Sequence, residues 1–443
     1  MAPARTKSAA HIPAVARGGR GLLVLGFVAV VVAGSASPAV AQVKFRDDRL
    51  AQPRGEAPPV TRLLVQFRQN IDEARREGIV REAGGRPALR LRLVRALAVA
   101  PRDGISLEEL RARLRASDRV ERVEDDGPIA ISKDPNDPGV VEQYAIKQKD
   151  DHDVDAPGAW NERTSCAKVA VLDTGVQSDH PDLKKNLWEN TADPSNGRDD
   201  DNNGVVDDRY GGDLVDGKGS GVDKHGHGTH VAGIVGARGN NDRGIAGLCW
   251  SLKIVAVRIL DADGRGTWSR EIAGIDYAIK AGAKVINASY GGPSGSEIVR
   301  DAIQRARDKG VLLVAAAGND GVNTDNKPNF PAAYPDSNIL SVAATNSKDK
   351  LASFSNFGAQ TVDLAAPGDH VASTFWKSDY AYMSGTSMAT PYVAAAAAML
   401  RKHHSSWDLG DISSRLRKSG DALKALKGKT KSGKRLNINS ALG

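Results

Sequence analysis

Five short apolar runs, rich in β-branched residues, recur along residues 168–344 and alternate with segments of helical spacing. A run without polar alternation is buried on both sides, as is a strand of a parallel sheet that has helices on each face. We therefore predict an α/β fold in which a parallel sheet is covered by helices on both faces. The predicted strands are 168–172, 252–259, 284–288, 311–316 and 339–344, and the predicted helices are 229–235, 269–281 and 297–309.

A smaller unit is expected before this sheet. Gly84 stops a charged helical segment, because glycine readily adopts the left-handed conformation of a helix end. Ser106 with Glu109 has the pattern of a capping box and predicts a second helix start. The order of elements is that of a small α+β unit of the split βαβ, ferredoxin-like kind. The elements are strand 63–67, helix 71–83, one or two strands in 89–100, helix 106–114 and an extended segment 120–131.

The N-terminus has the composition of a targeting segment. It carries four basic and no acidic residues, an apolar run at 22–33 and the sequence Ala39-Val40-Ala41. This order is typical of a secretory signal peptide, so we predict export to the periplasm or the medium, with cleavage after Ala41. An uncleaved membrane anchor is the alternative, but the run is short for a bilayer span.

The formal net charge of +7 does not indicate a nucleic-acid-binding protein. Beyond residue 132 the chain has 38 basic and 39 acidic residues. A nucleic-acid-binding domain needs a basic stripe on its folded surface, so we expect no nucleic-acid partner.

Ser387 precedes an alanine-rich run at 394–398 that predicts a buried helix. Its hydroxyl is therefore expected at a helix N-terminus, where free backbone N–H groups favour developing negative charge. A serine is a weak nucleophile until a base takes its proton. On local grounds alone, a capping serine in a loop is the alternative.

Three further residues could supply what Ser387 lacks. Asp173 ends a predicted strand, where ligands of parallel sheets bind, although capping a turn is its alternative role. His227 lies between two glycines, which leave its imidazole unhindered. His225 and His230 are near it and could suggest a zinc site, but the sequence has no HExxH motif or cysteine partner here that would support one. Asn319 follows the strand 311–316 and could donate an N–H to an oxyanion, or simply form a turn.

The order Asp173, His227, Ser387 matches one plan of nucleophilic acyl transfer. Ser387 would attack, His227 would accept its proton, and Asp173 would orient the imidazole. A chymotrypsin-type chain runs His, Asp, Ser, and an α/β-hydrolase runs Ser, Asp, His with a G-x-S-x-G motif, whereas Ala389 occupies the last motif position here.

The segments 173–175, 227–233, 317–319 and 385–391 resemble those of the subtilisin-like serine proteases, the subtilases of peptidase family S8. The resemblance covers residues 144–442 and implies a serine endopeptidase that acts on polypeptides. It implies catalytic roles for Asp173, His227, Ser387 and Asn319. It also implies two segments that hold extended substrate between them. An aromatic residue is implied as the wall of the fourth subsite, with a preference for large apolar side chains, and ordinary packing is the alternative role of that residue. These substrate residues are Ser289, Tyr290 and Gly291 on one side, Gly264 and Gly266 on the other, and Trp268 as the wall.

The resemblance also implies a division of the chain into signal (1–41), linker and propeptide (42–132) and peptidase domain (133–443). Such a propeptide assists folding and then inhibits its own enzyme until it is removed, here between Ser132 and Val140. We expect a monomer without a membrane anchor after signal cleavage. A secreted binding protein on an inactive protease scaffold is the alternative function.

Two acidic places predict bound Ca²⁺, since dense carboxylate and amide oxygens suit this ion. One resembles the start of an EF-hand loop around Gly204, but Tyr210 at the twelfth position departs from that pattern, and a solvated acidic loop is the alternative. The other resembles the high-affinity calcium site of subtilases, with a loop that differs by one residue in length. The predicted ligands are Asp199, Asp201, Asn203 and Asp208 in the loop, and Asp182 and Asn241 in the second site.

Two cysteines, Cys166 and Cys249, each precede a predicted strand. If those strands are neighbours in a parallel sheet, both cysteines lie at the same end of it. An exported chain with an even cysteine count favours a disulfide, and two free thiols are the alternative.

Overall fold

The computed structural model describes residues 61–126 and 135–443. The predicted signal peptide, the linker at 42–59 and the start of the predicted propeptide cleavage window lie outside the described residues. No helix within the described ranges is long and apolar enough to cross a bilayer.

The N-terminal unit is an antiparallel sheet with two helices. Its strands lie in the order β2-β3-β1-β4, and every neighbouring pair is antiparallel, which confirms the ferredoxin-like prediction. Ser106 Oγ accepts a hydrogen bond from the Glu109 backbone N–H at 3.1 Å and so begins the second helix. The elements are β1 (Leu63–Phe67), α1 (Glu73–Glu82), β2 (Gly85–Leu91), β3 (Ala96–Pro101), α2 (Leu107–Arg115) and β4 (Val120–Asp125).

The C-terminal unit, residues 135–443, is built on an eight-stranded sheet with the order β13-β14-β10-β9-β8-β7-β5-β6. In this sheet every neighbouring pair from β14 along to β6 is parallel, as predicted. The prediction was incomplete at one edge, where β13 pairs antiparallel with β14. The strands are β5 (Val169–Asp173), β6 (Ile254–Arg258), β7 (Val285–Ala288), β8 (Leu312–Ala316), β9 (Ile339–Thr345), β10 (Leu364–Pro367), a separate hairpin of β11 (Val371–Phe375) and β12 (Asp379–Met383), β13 (Asp421–Ala422) and β14 (Lys434–Arg435).

Helices cover both faces of this sheet. Along β5, Val169 and Val171 pack in one apolar core with α4 and α7, while Ala170 and Leu172 pack in the other core with α5 and α6. This is why the strand sequences show no polar alternation. The helices are α3 (Ala156–Glu162), α4 (His227–Gly236), α5 (Trp268–Lys280), α6 (Glu297–Asp308), α7 (Thr386–His403), α8 (Leu409–Ser419) and α9 (Ile438–Leu442).

The predicted disulfide between Cys166 and Cys249 is confirmed. Their Cα atoms are 5.8 Å apart, and β5 and β6, which follow them, are parallel neighbours. The bond closes a loop over a separation of 83 residues and ties the start of β5 to the start of β6, the strand at the edge of the sheet.

Candidate active site

Asp173 and His227 meet at the carboxyl end of the sheet. Asp173 is the last residue of β5, and His227 is the first residue of α4. The atoms His227 Nδ1 and Asp173 Oδ1 are 2.7 Å apart, with the carboxylate fully buried and the imidazole 15% exposed. Burial lowers the pKa of His227, but the adjacent Asp173 carboxylate outweighs burial and holds this pKa above its ordinary value. The imidazole is therefore oriented and more basic than a free histidine.

A second buried carboxylate, Asp223, fixes the start of α4. It accepts hydrogen bonds from the backbone N–H groups of Gly226 and Thr229, at 2.8 and 2.9 Å. It also accepts a 2.9 Å bond from Thr174 Oγ, the residue after Asp173. Sequence reasoning missed Asp223, although an acidic residue shortly before a helix is a capping signal.

Gly228 permits the close approach of α4 to the strand end. A Cβ at this position would lie 2.1 Å from the carbonyl oxygen of Gly175. Any side chain there would push His227 away from Asp173. His230, two residues further on, is placed elsewhere: its Nε2 lies 3.1 and 3.0 Å from the carbonyl oxygens of Val371 and Ala381, so it holds the β11–β12 hairpin.

Ser387 is the second residue of α7, as the alanine run predicted. Its Oγ donates to the carbonyl oxygen of Ser289 at 2.9 Å, and Ser289 Oγ donates back to the carbonyl oxygen of Ser387 at 2.9 Å. Within the described ranges, no hydrogen bond joins Ser387 to His227. In this conformation the serine is therefore hydrogen-bonded to the segment after β7.

Asn319 follows β8 and turns its amide towards the start of α7. Asn319 Oδ1 accepts from the backbone N–H and the hydroxyl of Thr386, at 2.8 and 2.9 Å. The amide nitrogen has no hydrogen bond to any described residue, and a Cβ built on Gly385 would lie 3.3 Å from Asn319 Nδ2 and 3.6 Å from the Ser387 backbone nitrogen. Two N–H donors thus lie next to the serine.

The two predicted substrate segments border one cavity of about 660 Å³. Trp268, the first residue of α5, lines this cavity and is 49% exposed. Ser289 is not among the lining residues, because it is 3% exposed and bonded to Ser387. The predicted residues that line the cavity are Gly264, Gly266, Trp268, Tyr290 and Gly291.

Asp182 and Asn241 lie together, as predicted for one calcium site. Asn241 Nδ2 donates to Asp182 Oδ1 at 2.9 Å, while Asn241 Oδ1 is buried and has no hydrogen-bond partner among the residues that the structure describes. Asp137, which sequence reasoning did not place in this site, is buried nearby. Burial and the Asp182 charge raise its pKa, although hydrogen bonds from the backbone N–H groups of Asn240, Asn241 and Arg243 lower it. An orphaned amide oxygen beside two buried carboxylates fits a hard cation.

The acidic loop converges on the buried carboxylate of Asp208. Asp208 accepts from the amides of Asn190 and Asn203, each at 2.6 Å, and from the Tyr277 hydroxyl on α5. Burial raises the pKa of Asp208, and contact with the Asp193 carboxyl adds to this. Two carboxyl groups in contact also fit a cation, but in the part of the chain that the structure describes no three histidine, cysteine or acidic side chains form a metal cluster.

The other predicted ligands of the loop lie at its turn. Asp199 accepts from the backbone N–H groups of Asn203 and Gly204 at 3.1 and 2.9 Å. Asp201 accepts from the Asn190 amide at 2.9 Å. Asn190 and Asp193 were missed by sequence reasoning, because they precede the Asp-rich stretch and join it only through the fold.

Comparison with known proteins places the chain in one family. Residues 165–441 match the Subtilase family. The chain is 43% identical over 267 residues to thermitase of Thermoactinomyces vulgaris, covering 60% of this chain and 85% of that protein. It is 33% identical over 373 residues to subtilisin amylosacchariticus of Bacillus subtilis subsp. amylosacchariticus, covering 83% of this chain and 87% of that protein.

A solved structure of a protease from Pseudoalteromonas arctica PAMC 21717 has the same fold. It superposes with a TM-score of 0.59 at 29% identity, over 70% of this chain and 98% of that one. With the family match and an eight-stranded sheet that brings Asp173 to His227, the chain belongs to the subtilase family and is a serine endopeptidase.

Proposed function

We propose that this protein is a secreted endopeptidase that cleaves polypeptides through Asp173, His227 and Ser387, by way of an acyl-enzyme. The observation that carries the proposal is the 2.7 Å contact between His227 Nδ1 and Asp173 Oδ1. An imidazole bonded in this way keeps its other nitrogen, Nε2, available as a base. Ser387 begins α7 at the same edge of the sheet.

Acylation begins when Ser387 Oγ turns from the Ser289 carbonyl to His227 Nε2. The hydroxyl proton passes to Nε2 as Oγ bonds to the substrate carbonyl carbon. The imidazolium then protonates the amine nitrogen, the C–N bond breaks, and the acyl group remains on Ser387. In deacylation, water attacks the ester, His227 takes its proton, and that proton returns to Ser387 Oγ when the C–O bond breaks.

The charge that develops on the substrate oxygen is stabilised by Asn319 Nδ2 and the Ser387 backbone N–H. Asn319 is held by Thr386 through its oxygen, so its N–H is oriented before substrate arrives. Donors fixed in advance stabilise the transition state without a reorganisation cost.

Substrate is proposed to bind as an extended strand between residues 289–291 and residues 264–266. Gly264, Gly266 and Gly291 expose their backbone along the cavity, and main-chain hydrogen bonds to such an edge hold peptides largely independently of their sequence. Trp268 forms the wall of the fourth subsite.

The N-terminal unit is proposed to be a propeptide that inhibits the enzyme until cleavage between Ser132 and Val140. Its buried apolar side chains form a core of their own, including Leu63, Leu97 and Leu110, which supports a separately folded unit. The basic, apolar and small-residue order of the first 41 residues supports export. We expect a monomer, free of the membrane after signal cleavage.

Ca²⁺ is proposed to stabilise the peptidase domain without taking part in the reaction. Asp182, Asn241 and Asp137 would hold one ion, supported by the unpartnered Asn241 oxygen. Residues Asp199, Asp201, Asn203 and Asp208 would hold another. Each ion would neutralise buried carboxylates and fix a surface loop.

Covalent labelling separates this function from a binding protein on an inactive scaffold. Mature protein should react with phenylmethylsulfonyl fluoride and cleave casein, and Ser387→Ala should do neither. An unreactive wild-type protein that also leaves casein intact would refute the enzyme and favour the binding protein.

A further inference from the structure

The cavity beside Trp268 has aromatic walls and one acidic side chain. Trp268, Tyr290, Phe330 and Tyr334 contribute rings to its lining. Glu271 is the single carboxylate among the described lining residues. Trp268 and Glu271 are three residues apart on α5, so they face the same side of the helix.

Glu271 is buried with most of its hydrogen-bonding capacity unused. It is 8% exposed. Within residues 61–126 and 135–443 it forms no ion pair and one side-chain hydrogen bond, in which the Tyr290 hydroxyl donates to Oε1 at 3.2 Å. An ionised carboxylate has about four acceptor positions. A buried acid with one donor is costly, and the cavity is where further donors can reach it.

We propose that Glu271 makes this cavity a subsite for a cationic substrate side chain, with arginine preferred over lysine. The proposal rests on the peptidase function proposed above and replaces the purely apolar preference expected from Trp268 alone. The guanidinium would bond to the Glu271 carboxylate, and the aliphatic stem would lie against Trp268 and Tyr290.

The chemistry of the lining favours arginine in particular. A planar guanidinium can donate to both oxygens of a carboxylate and stack on aromatic rings. Its stem covers apolar surface while its head stays polar. Leucine or methionine would instead desolvate the carboxylate further and add no donor to that of Tyr290.

The charges around Glu271 permit this occupant. The start of α5 favours its negative charge. Tyr290 and Tyr334 face it as neutral hydroxyls, since burial raises the pKa of both. Arg265 also lines the cavity, but its side chain is exposed, so solvent and salt screen the repulsion between its charge and a bound cation.

The preference should depend on pH. Burial raises the pKa of Glu271 to about 7, although the Tyr290 hydrogen bond lowers it. The carboxylate is therefore present above this pKa and lost as the pH falls through it. The ratio of two substrates cancels the titration of His227, which both share.

The test uses peptides that differ only four residues before the cleaved bond, where arginine is compared with citrulline, its uncharged isostere, and with leucine. For mature wild-type enzyme at about pH 8.5, we expect kcat/KM for the arginine peptide to exceed that for citrulline by about 10- to 100-fold. The ratio should fall towards one at about pH 6.

Glu271→Gln should abolish the arginine preference by slowing the arginine peptide, while the leucine peptide, which no longer desolvates a charge, should be cleaved faster than by wild type. Glu271→Leu, whose folding is checked by labelling with the serine reagent, should favour leucine over arginine. The proposal is overturned if Glu271→Gln slows all three peptides equally, or if wild type prefers leucine at both pH values. Absence of both labelling and cleavage in wild type would instead refute the peptidase function.

Discussion

The two helix layers of the peptidase sheet hold their functional side chains very differently. In the layer of α4 and α7, His227 and Ser387 begin helices whose following residues are almost all buried. In the layer of α5 and α6, Trp268 and Ile298 are 49% and 69% exposed. The first layer carries the reacting groups, and the second borders the open cavity.

The difference follows from what each layer must do. Proton transfer and nucleophilic attack tolerate little displacement of the reacting atoms, and buried hydrogen bonds such as those of Asp223 limit displacement. A pocket for a substrate side chain needs a fitting shape and charge. Changes in the first layer should therefore slow every substrate, whereas changes in the second should alter the choice between substrates.

Asp173→Asn should have the largest effect in this comparison. We expect kcat to fall by about 10⁴-fold for all substrates, as when the orienting carboxylate of a serine-protease triad is removed. The Asp173 carboxylate raises the pKa of His227, so in wild type the acid limb, the pH below which kcat/KM falls, should lie above the ordinary histidine pKa. Without that charge, burial remains and the limb should move to lower pH. A pH profile of kcat/KM measures both effects, and an unmoved limb would contradict the assigned coupling.

Asn319→Ala tests the same layer through one hydrogen-bond donor. We expect kcat to fall by about 10²–10³-fold with little change in KM, a range that comes from subtilisin, a relative of this chain. Asn319→Asp is a useful control, because it keeps the acceptor oxygen for Thr386 but loses the N–H. If Asn319→Asp kept wild-type kcat, the role of Asn319 would be structural, and its amide would not donate to the oxyanion.

The sequence predicted the layer of reacting groups better than the pocket. The strands β5 to β9 were placed within two residues, because continuous apolar runs leave few alternatives. Once the sheet is parallel, Asp173, His227 and Asn319 must lie at its carboxyl edge. The strands β10 to β14 were missed. Strands β13 and β14 have two residues each, too few to show an apolar pattern.

Glu271 and Asp137 show why the rest could not be predicted. Each is an ordinary acidic residue in its local sequence. What distinguishes them is burial by segments far away in the chain, such as the Tyr290 contact with Glu271. Burial of this kind depends on the whole fold, so a single sequence without its structure carries no local sign of it.

Removal of Ca²⁺ should lower the stability of the protein more than it changes catalysis or substrate choice. With the ion about 100-fold above its Kd, each site contributes about 2.7 kcal/mol, so chelation should lower the thermal midpoint by several degrees. Asp182→Asn should remove the share of this decrease that comes from the Asp182 site. Asp201→Asn should remove the share that comes from the acidic loop, whose Asp208 contacts Tyr277 of α5. A midpoint unchanged by chelator would refute both sites.

Trp268→Ala should have the smallest effect and should be confined to selectivity. The indole is half exposed, so its loss removes only part of an apolar wall, about 1.4 kcal/mol or tenfold in kcat/KM for peptides with a long side chain at the fourth subsite. Peptides with alanine at that position should be cleaved as before, because Asp173, His227 and Ser387 lie in the other layer. Exposed Ile298 lies on α6 and is absent from the lining of this cavity, so Ile298→Ala is the matched control and should change neither substrate. If Trp268→Ala instead slowed both peptides equally, α5 would position the reacting groups, and the division between the two layers would fail.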